Sequence, residues 1–351
     1  MDKRVAIIGG GVAGLGAALS LDRYGIESII IEKSPNLGGK VTGYAQLFPD
    51  FKDGKALVAE LIDKARRSPR IRVLTNASIR TMARQDGRFE LAMTSGDAVC
   101  ADAVILTCGF EVFDARKQGE YGYGVYPNVI TAPELELFLD PEGPTKGKLL
   151  RPSDGQPAQR VAIVFCVGSR NKRLGNPYCS RICCSYSTKQ AIEIMERHPD
   201  ANVTCFYMDI RTYGRGFEEM YQYAQELGVK YVRGRVSECS ALPNGDIQVR
   251  AENTLMCRPV QGAFDVVSLS VGMAPCSDGA QIAAWLGLEL DPYGFFQAKD
   301  DYLSPYETHQ EGVFLAGSIS GLKPIRDCLS DGFSAGGEVA LYLQRSHQGR
   351  G

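Results

Sequence analysis

The sequence predicts an α/β protein in which one parallel-sheet domain is inserted into another, and three observations predict it. Short continuous apolar runs, the pattern of strands covered on both faces, alternate with stretches of helical spacing. Two strand–helix–strand units of this kind occur, one opening at Val5 and the other at Val161. A last apolar run, Val313 to Ala316, and a helix rich in small residues follow the second unit and would complete the first sheet. The implied division is a discontinuous first domain over 1–155 and 273–351, and an inserted second domain over 156–272.

Element by element, Val5-Ala6-Ile7-Ile8 reads as the first strand. Gly14 to Tyr24 carries small and apolar residues at helical spacing and stops at Gly25, a favoured residue just past a helix end. Ser28 to Ile31 is the second strand, ending at Glu32, and Ala103 to Leu106 is a third, landing on Thr107-Cys108-Gly109. Between Asp140 and Arg160 the composition shifts to Pro, Gly, Lys and Ser, which marks a linker. The second unit then runs through a strand (Val161 to Phe165), a helix (about Ser185 to Arg197) and a strand (Val203 to Met208). A further helix (Phe217 to Leu227) and strand (Val229 to Val232) follow. Gly, Pro and Ser rise again from Val271 to Gly279, and the closing helix spans about Pro324 to Leu343.

Composition excludes several classes of function. With 39 basic and 41 acidic residues in 351, the chain lacks the basic surface that binding nucleic acid needs. No apolar run reaches the ~18 residues of a membrane span, and a strand pattern begins too early for a signal peptide. A cytoplasmic protein is expected. Its eleven cysteines are an odd number in a long, unsecreted chain, so reduced thiols, metal ligands or redox groups are expected rather than a disulfide framework.

Gly9-Gly10-Gly11-Val12-Ala13-Gly14 matches G-x-G-x-x-G directly after a strand and at a helix start. Gly9 permits a tight turn, Gly11 lets backbone N–H groups reach a pyrophosphate, and Gly14 allows close packing of helix on strand. The N-terminal helix turn at Val12 and Ala13 adds partial positive charge. Glu32, eighteen residues after Gly14, is placed to accept hydrogen bonds from a ribose diol. The pattern alone also fits a glycine-rich turn; strand, helix and acid together favour a dinucleotide site in a Rossmann-like domain.

The continuation Glu32-Lys33, four residues, then Gly38-Gly39-Lys40 resembles the corresponding run of flavoproteins with two dinucleotide-binding domains, the thioredoxin-reductase-like group. Thr107-Cys108-Gly109 is similar to their A-T-G turn, and Val313 to Gly317 to their late strand ending in glycine beside the flavin. The resemblance implies FAD. Many such relatives hold the ribityl chain with an Asp after the late glycine, where this chain has Ser318. Lys323, Pro324 and Ile325 open the last helix, whose N-terminus would face the pyrimidine edge of the flavin.

In the second unit the expected glycines are missing. After Val161 to Phe165 the chain reads Cys166-Val167-Gly168-Ser169-Arg170, and Cys179, Cys183 and Cys184 follow, spaced C-x12-C-x3-C-C. Four thiolates from a loop and a helix start suit an iron–sulfur site. Structural zinc usually shows paired C-x2–4-C knuckles, a redox dithiol shows C-x-x-C, and buried free cysteines are the plainest alternative. Spacing alone leaves these open. The other seven cysteines are scattered singly and read as small buried hydrophobes.

The block from Cys166 to Arg170 and Asn176 to Cys184, with Lys189-Gln190-Ala191, Tyr207 to Arg211 and Gly234-Arg235-Val236, resembles the A-type subunit family of heterodisulfide reductases. Arg151 to Gly155 and Gly317 to Lys323 match as well, so the resemblance spans nearly the whole chain, and it extends to the Hdr-like proteins of sulfur-oxidising bacteria. It implies a 4Fe–4S cluster on Cys166, Cys179, Cys183 and Cys184 close to FAD, and a lysine, Lys189, near the flavin N5 edge; a solvated helix residue is the alternative for Lys189. Ferredoxin-type cysteine runs are lacking, which implies a short core form working with B- and C-type Hdr-like subunits in cytoplasmic sulfur oxidation, and a homodimer. Two other readings stand beside it: a stand-alone NAD(P)H-dependent thiol/disulfide oxidoreductase using Cys183 or Cys184, and an FAD-stabilised scaffold.

Overall fold

The computed structural model describes residues 3–348. The chain opens with β1 (Arg4–Ile8), α1 (Val12–Arg23), β2 (Glu27–Ile31), α2 (Gly54–Arg67) and β3 (Ile71–Leu74). An antiparallel trio follows, β4 (Ile79–Gln85), β5 (Arg88–Met93) and β6 (Ala98–Ala101), then β7 (Ala103–Leu106) and β8 (Phe110–Val112). Next come β9 (Val129–Thr131), α3 (Ala132–Leu139), β10 (Arg160–Val167), α4 (Cys183–Arg197), β11 (Asn202–Tyr207), α5 (Phe217–Glu226) and β12 (Lys230–Arg233). A second antiparallel trio, β13 (Val236–Ala241), β14 (Ile247–Asn253) and β15 (Arg258–Phe264), leads into β16 (Val266–Val271). The chain ends through β17 (Met273–Pro275), α6 (Gly279–Leu286), β18 (Val313–Leu315) and α7 (Ile325–Gln348).

These elements form two units: Met1–Thr42, Lys55–Glu111 and Ala274–Gly351 make the first, and Gly43–Gly54 with Val112–Met273 the second. In the first, five parallel strands lie in the order β18-β7-β1-β2-β3, with Val5 opposite Ser28 on one side and Ala103 on the other. The late strand β18 does complete this sheet, pairing with β7. Strand order reverses at β1, the position where ligands bind in such sheets. Ile8, Ile29 and Leu106 share a core with Phe89 and Leu91 of the first trio and Leu286 of α6. The closing helix lies against α1 at close range. A Cβ on Gly332 would stand 2.1 Å from the carbonyl oxygen of Ala13, and Ser20 donates to the Phe333 carbonyl at 2.7 Å.

The second unit repeats the plan, with parallel strands in the order β12-β11-β10-β16-β9. Here the structure departs from the expected boundary. Residues 112–155 group with the second unit, because β9 extends its sheet by pairing in parallel with β16, Val129 opposite Val267. Residues 43–54 group there too, with the ring of Phe48 edge-on to Phe217 at 6.0 Å.

Candidate cofactor and thiol sites

In the first unit, three turns follow three adjacent parallel strands: Gly9 to Gly14 after β1, Thr107 to Gly109 after β7, and Gly317 to Ser320 after β18. Gly9 takes φ +111°, and a Cβ there would lie 2.5 Å from the Thr107 carbonyl oxygen; one on Gly14 would lie 2.0 Å from the Gly9 oxygen. A Cβ on Gly11 would meet nothing within 4 Å. The turn is thus packed hard on the strand side and open at Gly11, which is the shape a pyrophosphate cradle needs. Val12 and Ala13 open α1 beside it.

Glu32 is wired into this cradle. One carboxylate oxygen accepts from the Gly10 N–H at 2.7 Å and the other from the N–H and hydroxyl of Ser34, both at 2.8 Å. Gly38 donates its N–H to the Gly10 carbonyl at 2.7 Å, and Gly38 and Gly39 both take positive φ, so the paired-glycine run lies against the first turn. Lys33 pairs with Asp278 at 2.7 Å, and Lys40 with Glu111 at 3.6 Å. Thr107 places its hydroxyl 2.9 Å and 2.8 Å from the carbonyls of Ile8 and Gly9. Burial pushes the neighbouring Cys108 thiol far up, and Gly109 turns the chain at φ +76°.

At the late turn, Gly317 donates to Asp331 Oδ2 at 3.2 Å, and Lys323 reaches the same oxygen at 2.6 Å and Ser320 Oγ at 3.0 Å. Ser318 is buried, Pro324 offers its carbonyl to Cys328 N–H at 3.0 Å, and Ile325 begins α7. Sequence reasoning missed Asp331. The carboxylate beside Gly317 comes from α7 rather than from the position after the glycine. Open space over Gly11, the locked glycines and the ribose-type acid together fit FAD.

In the second unit, the corresponding switch point at the end of β10 carries cysteines. Register against β16 slips between Val164 and Val167, and Cys166 within this bulge takes φ +62°, an unusual backbone for a residue with a Cβ. The loop that follows is pinned by Arg170 N–H to the Tyr178 carbonyl (2.7 Å) and Asn176 to the Gly168 carbonyl (3.0 Å). It delivers Cys183 and Cys184 as the first residues of α4.

Cys183 is the hydrogen-bond partner of both Cys166 and Cys184. The Cys183 thiol between them is held well above its usual range by its two sulfur neighbours and by burial. Its hydrogen bond, with the guanidinium of Arg170, brings Cys166 down to about 7; Cys184 is lowered by the same thiol and by the Arg211 N–H. Cys179 stands apart in this arrangement: it is half-buried, and its sulfur accepts from the Arg181 N–H at 3.4 Å. The structure therefore gathers three of the four expected ligands. Among the described residues, no group of three or more His, Cys, Asp or Glu is arranged to hold a metal ion. The donor chemistry still suits a cluster. The thiols are soft, two of them are lowered from the usual thiol range, and the buried hydroxyls of Ser169 and Ser180 have no hydrogen-bond partner. Of the seven remaining cysteines, Cys100 and Cys257 are exposed, against the expectation of burial, and all eleven are free.

The glycine cradle is closed here. Gly168, its surviving member, donates its N–H to Gln118 Oε1 at 2.6 Å, and a Cβ on it would stand 2.1 Å from the Phe113 ring.

Lys189 lies on α4 and is only 2% exposed, so the solvated alternative fails. Its ammonium is 2.6 and 2.7 Å from the two oxygens of Glu136, 3.2 Å from Glu193 and 3.2 Å from the Gln46 carbonyl. Glu136 (4% exposed) and Glu193 (2%) outnumber the one cation. Burial pushes Glu193 up to about 7; Lys189 opposes the shift and Glu136 adds to it. Helix α3 supplies Glu136, and its start is tied by the Glu134 carboxylate to the N–H and hydroxyl of Thr131 at 2.6 and 2.7 Å.

No helix among the described residues is long and apolar enough to cross a membrane. The thioredoxin reductases of T. acidophilum (TM-score 0.66, 18% identity, 98% of this chain and 99% of that one) and Lactococcus lactis (TM-score 0.68, 16%, 98% and 99%) share the fold. The chain is 32% identical over 98% of its length to the iron-sulfur A-type subunit of a CoB–CoM heterodisulfide reductase from Methanocaldococcus jannaschii. It is 30% identical, again over 98%, to the A-type subunit of an H2:CoB-CoM heterodisulfide, ferredoxin reductase from Methanothermobacter marburgensis. It spans 64% of the length of each, and the resemblance to the A-type subunits of heterodisulfide reductases holds. A family model, pyridine nucleotide-disulphide oxidoreductase, matches residues 3–332. The chain belongs to that family and is a flavin-dependent oxidoreductase.

Proposed function

We propose that this chain is an electron-transfer subunit of a heterodisulfide-reductase-like complex, with FAD in its first unit and a 4Fe–4S cluster in its second. The carrying observation is the exchange of a nucleotide-binding glycine turn for gathered thiols at the second switch point. When bound, FAD would supply two-electron and one-electron exchange, and the cluster one-electron exchange. The residues that would hold FAD are Gly9, Gly11, Val12, Ala13 and Gly14 at the pyrophosphate and Glu32 at the ribose. Lys33, Gly38, Gly39, Lys40, Thr107, Cys108 and Gly109 would line the path toward the flavin, and Gly317, Ser318, Lys323, Pro324 and Ile325 its far edge. Cys166, Cys179, Cys183 and Cys184 would ligate iron, with Arg170 and the Arg211 N–H holding negative charge on sulfur. Ligation by all four requires Cys179 to join the other three. Lys189, held by Glu136 and Glu193, would set the charge near the flavin N5 edge.

The reading places the complex in cytoplasmic sulfur oxidation, with B- and C-type Hdr-like subunits as partners and a homodimer as the working form. Iron, acid-labile sulfide and flavin are measured after anaerobic purification. One cluster's worth of iron and sulfide and one FAD per chain are expected, and Cys179→Ser is expected to lose iron while keeping flavin. A yellow protein without iron would overturn the reading. Rapid bleaching of the flavin by NADH or NADPH would favour the thiol/disulfide oxidoreductase instead, a reading that the closed turn at Gly168 disfavours.

A further inference from the structure

We infer that Cys108 and Cys276 are a redox-sensitive staple of the first unit, closed to a disulfide by a small-molecule disulfide and reopened by thiols. The inference goes beyond the proposed function and needs neither the cluster nor its cysteines. Both residues belong to the first unit, and although they are far apart in the chain the fold brings them together. Strands β8 and β17 pair as a two-stranded ladder. At one end the Phe113 N–H donates to the Gly272 carbonyl at 3.0 Å, and at the other Ser277 Oγ donates to Glu111 Oε1 at 3.3 Å. Partner numbers fall on one strand as they rise on the other, so the ladder is antiparallel. Cys108 stands two residues before β8 and Cys276 directly after β17, which delivers both to the same end of it.

The two thiols share their surroundings. Both pack against the core that holds Ile8 and Leu106. Cys108 Sγ is 3.5 Å from the Ile8 carbonyl oxygen, and a Cβ on Gly279 would stand 3.2 Å from Cys276 Sγ. Lys33, paired with Asp278 at 2.7 Å, acts on both sulfurs, and negative charge on Cys276 raises Cys108 further. Burial pushes Cys276 up to about 11, below Cys108, so both thiols rest protonated and Cys276 is the first to attack. The competing reading makes them small core hydrophobes, but both residues are only half-buried. In the reaction, the Cys276 thiolate attacks one sulfur of the oxidant; the other half leaves and takes up the proton that Cys276 gave up. The Cys108 thiolate then attacks the Cys276 sulfur of the mixed disulfide and expels the second half, which takes the Cys108 proton. Each cysteine loses one electron, and the oxidant, gaining two, becomes two thiols. The bond closes a long loop, which stabilises the folded unit by constraining the unfolded chain.

The test treats the full, flavin-loaded chain with oxidised glutathione under argon, quenches in acid, alkylates the remaining thiols and maps peptides by mass spectrometry. A Cys108–Cys276 peptide pair is expected, two hydrogens lighter than the separate thiol peptides and split by dithiothreitol. Exposed Cys100 is expected to carry a glutathione adduct instead, which shows that the oxidant acted. Trp285, in α6 of the first unit, reports the consequence. Its fluorescence midpoint in urea is expected to rise on oxidation and return with dithiothreitol, and C276S is expected to show no rise. Alkylation of both Cys108 and Cys276 beside a glutathionylated Cys100 overturns the inference. So does a lasting glutathione adduct on wild-type Cys276, or a cross-link that leaves the Trp285 midpoint unmoved.

Discussion

Replacing Lys189 by Met should destabilise the second unit in a way that grows with pH. The substitution removes the ammonium that sits 2.6, 2.7 and 3.2 Å from carboxylate oxygens of Glu136 and Glu193, and it leaves both acids 4% exposed or less. Removing one partner of a buried ion pair costs about 3–5 kcal/mol, because the remaining charge has no solvent to stabilise it. The acids can avoid that cost only by binding protons. Glu193 already titrates near 7 with the lysine present, so without it the folded-state value rises further above the unfolded one. A raised acid in the folded state favours folding at low pH and loses that advantage as pH rises, at most about 1.4 kcal/mol per pH unit for each extra proton bound. The cost is therefore expected to be largest at pH 8 and to shrink towards pH 5, as Glu193 takes up a proton. Trp285, the chain's one tryptophan, lies in α6 of the first unit, so its fluorescence reports the wrong unit; exchange of α4 amides in urea reports the right one. A triple variant, K189M/E136Q/E193Q, removes all three charges together and should recover most of the loss with little pH dependence. An equal cost at pH 5 and pH 8, or a triple variant no better than the single one, would refute the electrostatic account.

The wild-type protein should show the same physics in smaller form. Glu193 contributes stability fully below its unfolded value of 4.5 and loses it as pH rises through about 7; the loss is about 3 kcal/mol at most, and Glu193→Gln should flatten it. Gly11→Ala adds a Cβ that meets nothing in the protein, so it should melt like the wild type yet release FAD on dialysis. By contrast, Gly14→Ala places a Cβ 2.0 Å from a backbone oxygen and should cost about 1–3 kcal/mol in a thermal melt. Asp331→Asn leaves Lys323 without its charge partner; if that cation faces the flavin as proposed, a dye-linked titration should show a higher flavin potential, and an unchanged potential counts against the placement. Gln118→Leu orphans the buried Gly168 N–H and should cost about 1–3 kcal/mol in urea denaturation without altering flavin content.

What the sequence made legible follows from how each element meets solvent. Strands such as β1, β2, β7 and β10 are covered on both faces, and their unbroken apolar runs are visible without context. The two antiparallel trios escaped notice because only one face is covered. In β5 the buried Phe89 and Leu91 alternate with the exposed Arg88 and Glu90, over a span too short to stand out. The thiol block was visible because its spacing is local, whereas Glu136, the nearest carboxylate partner of Lys189, lies 53 residues away along the chain. A signal for Glu136 did exist: buried Ala132, Leu135, Glu136 and Leu139 fall at helical spacing, so the acid sits on the apolar stripe of α3, where a carboxylate needs a buried cation.

The two switch points share a topology and differ in what the turn after the central strand presents. After β1 the glycines are locked by the strand beside them, and the turn stays open at Gly11, so the helix N-terminus can meet an anion. After β10 the equivalent N–H of Gly168 is already bonded to Gln118, and the Phe113 ring fills the space above it. A helix start closed to phosphate can still hold negative charge on its own first residues, and Cys183 and Cys184 are those residues in α4. Arg170 and the Arg211 N–H act in the same direction on Cys166 and Cys184. The positive end of the second βα unit, spent on a diffusible nucleotide in a pyridine-nucleotide site, is turned here onto the protein's own sulfurs. A fold that binds dinucleotides twice thereby becomes one suited to hold a flavin in one unit and a thiolate-ligated group in the other.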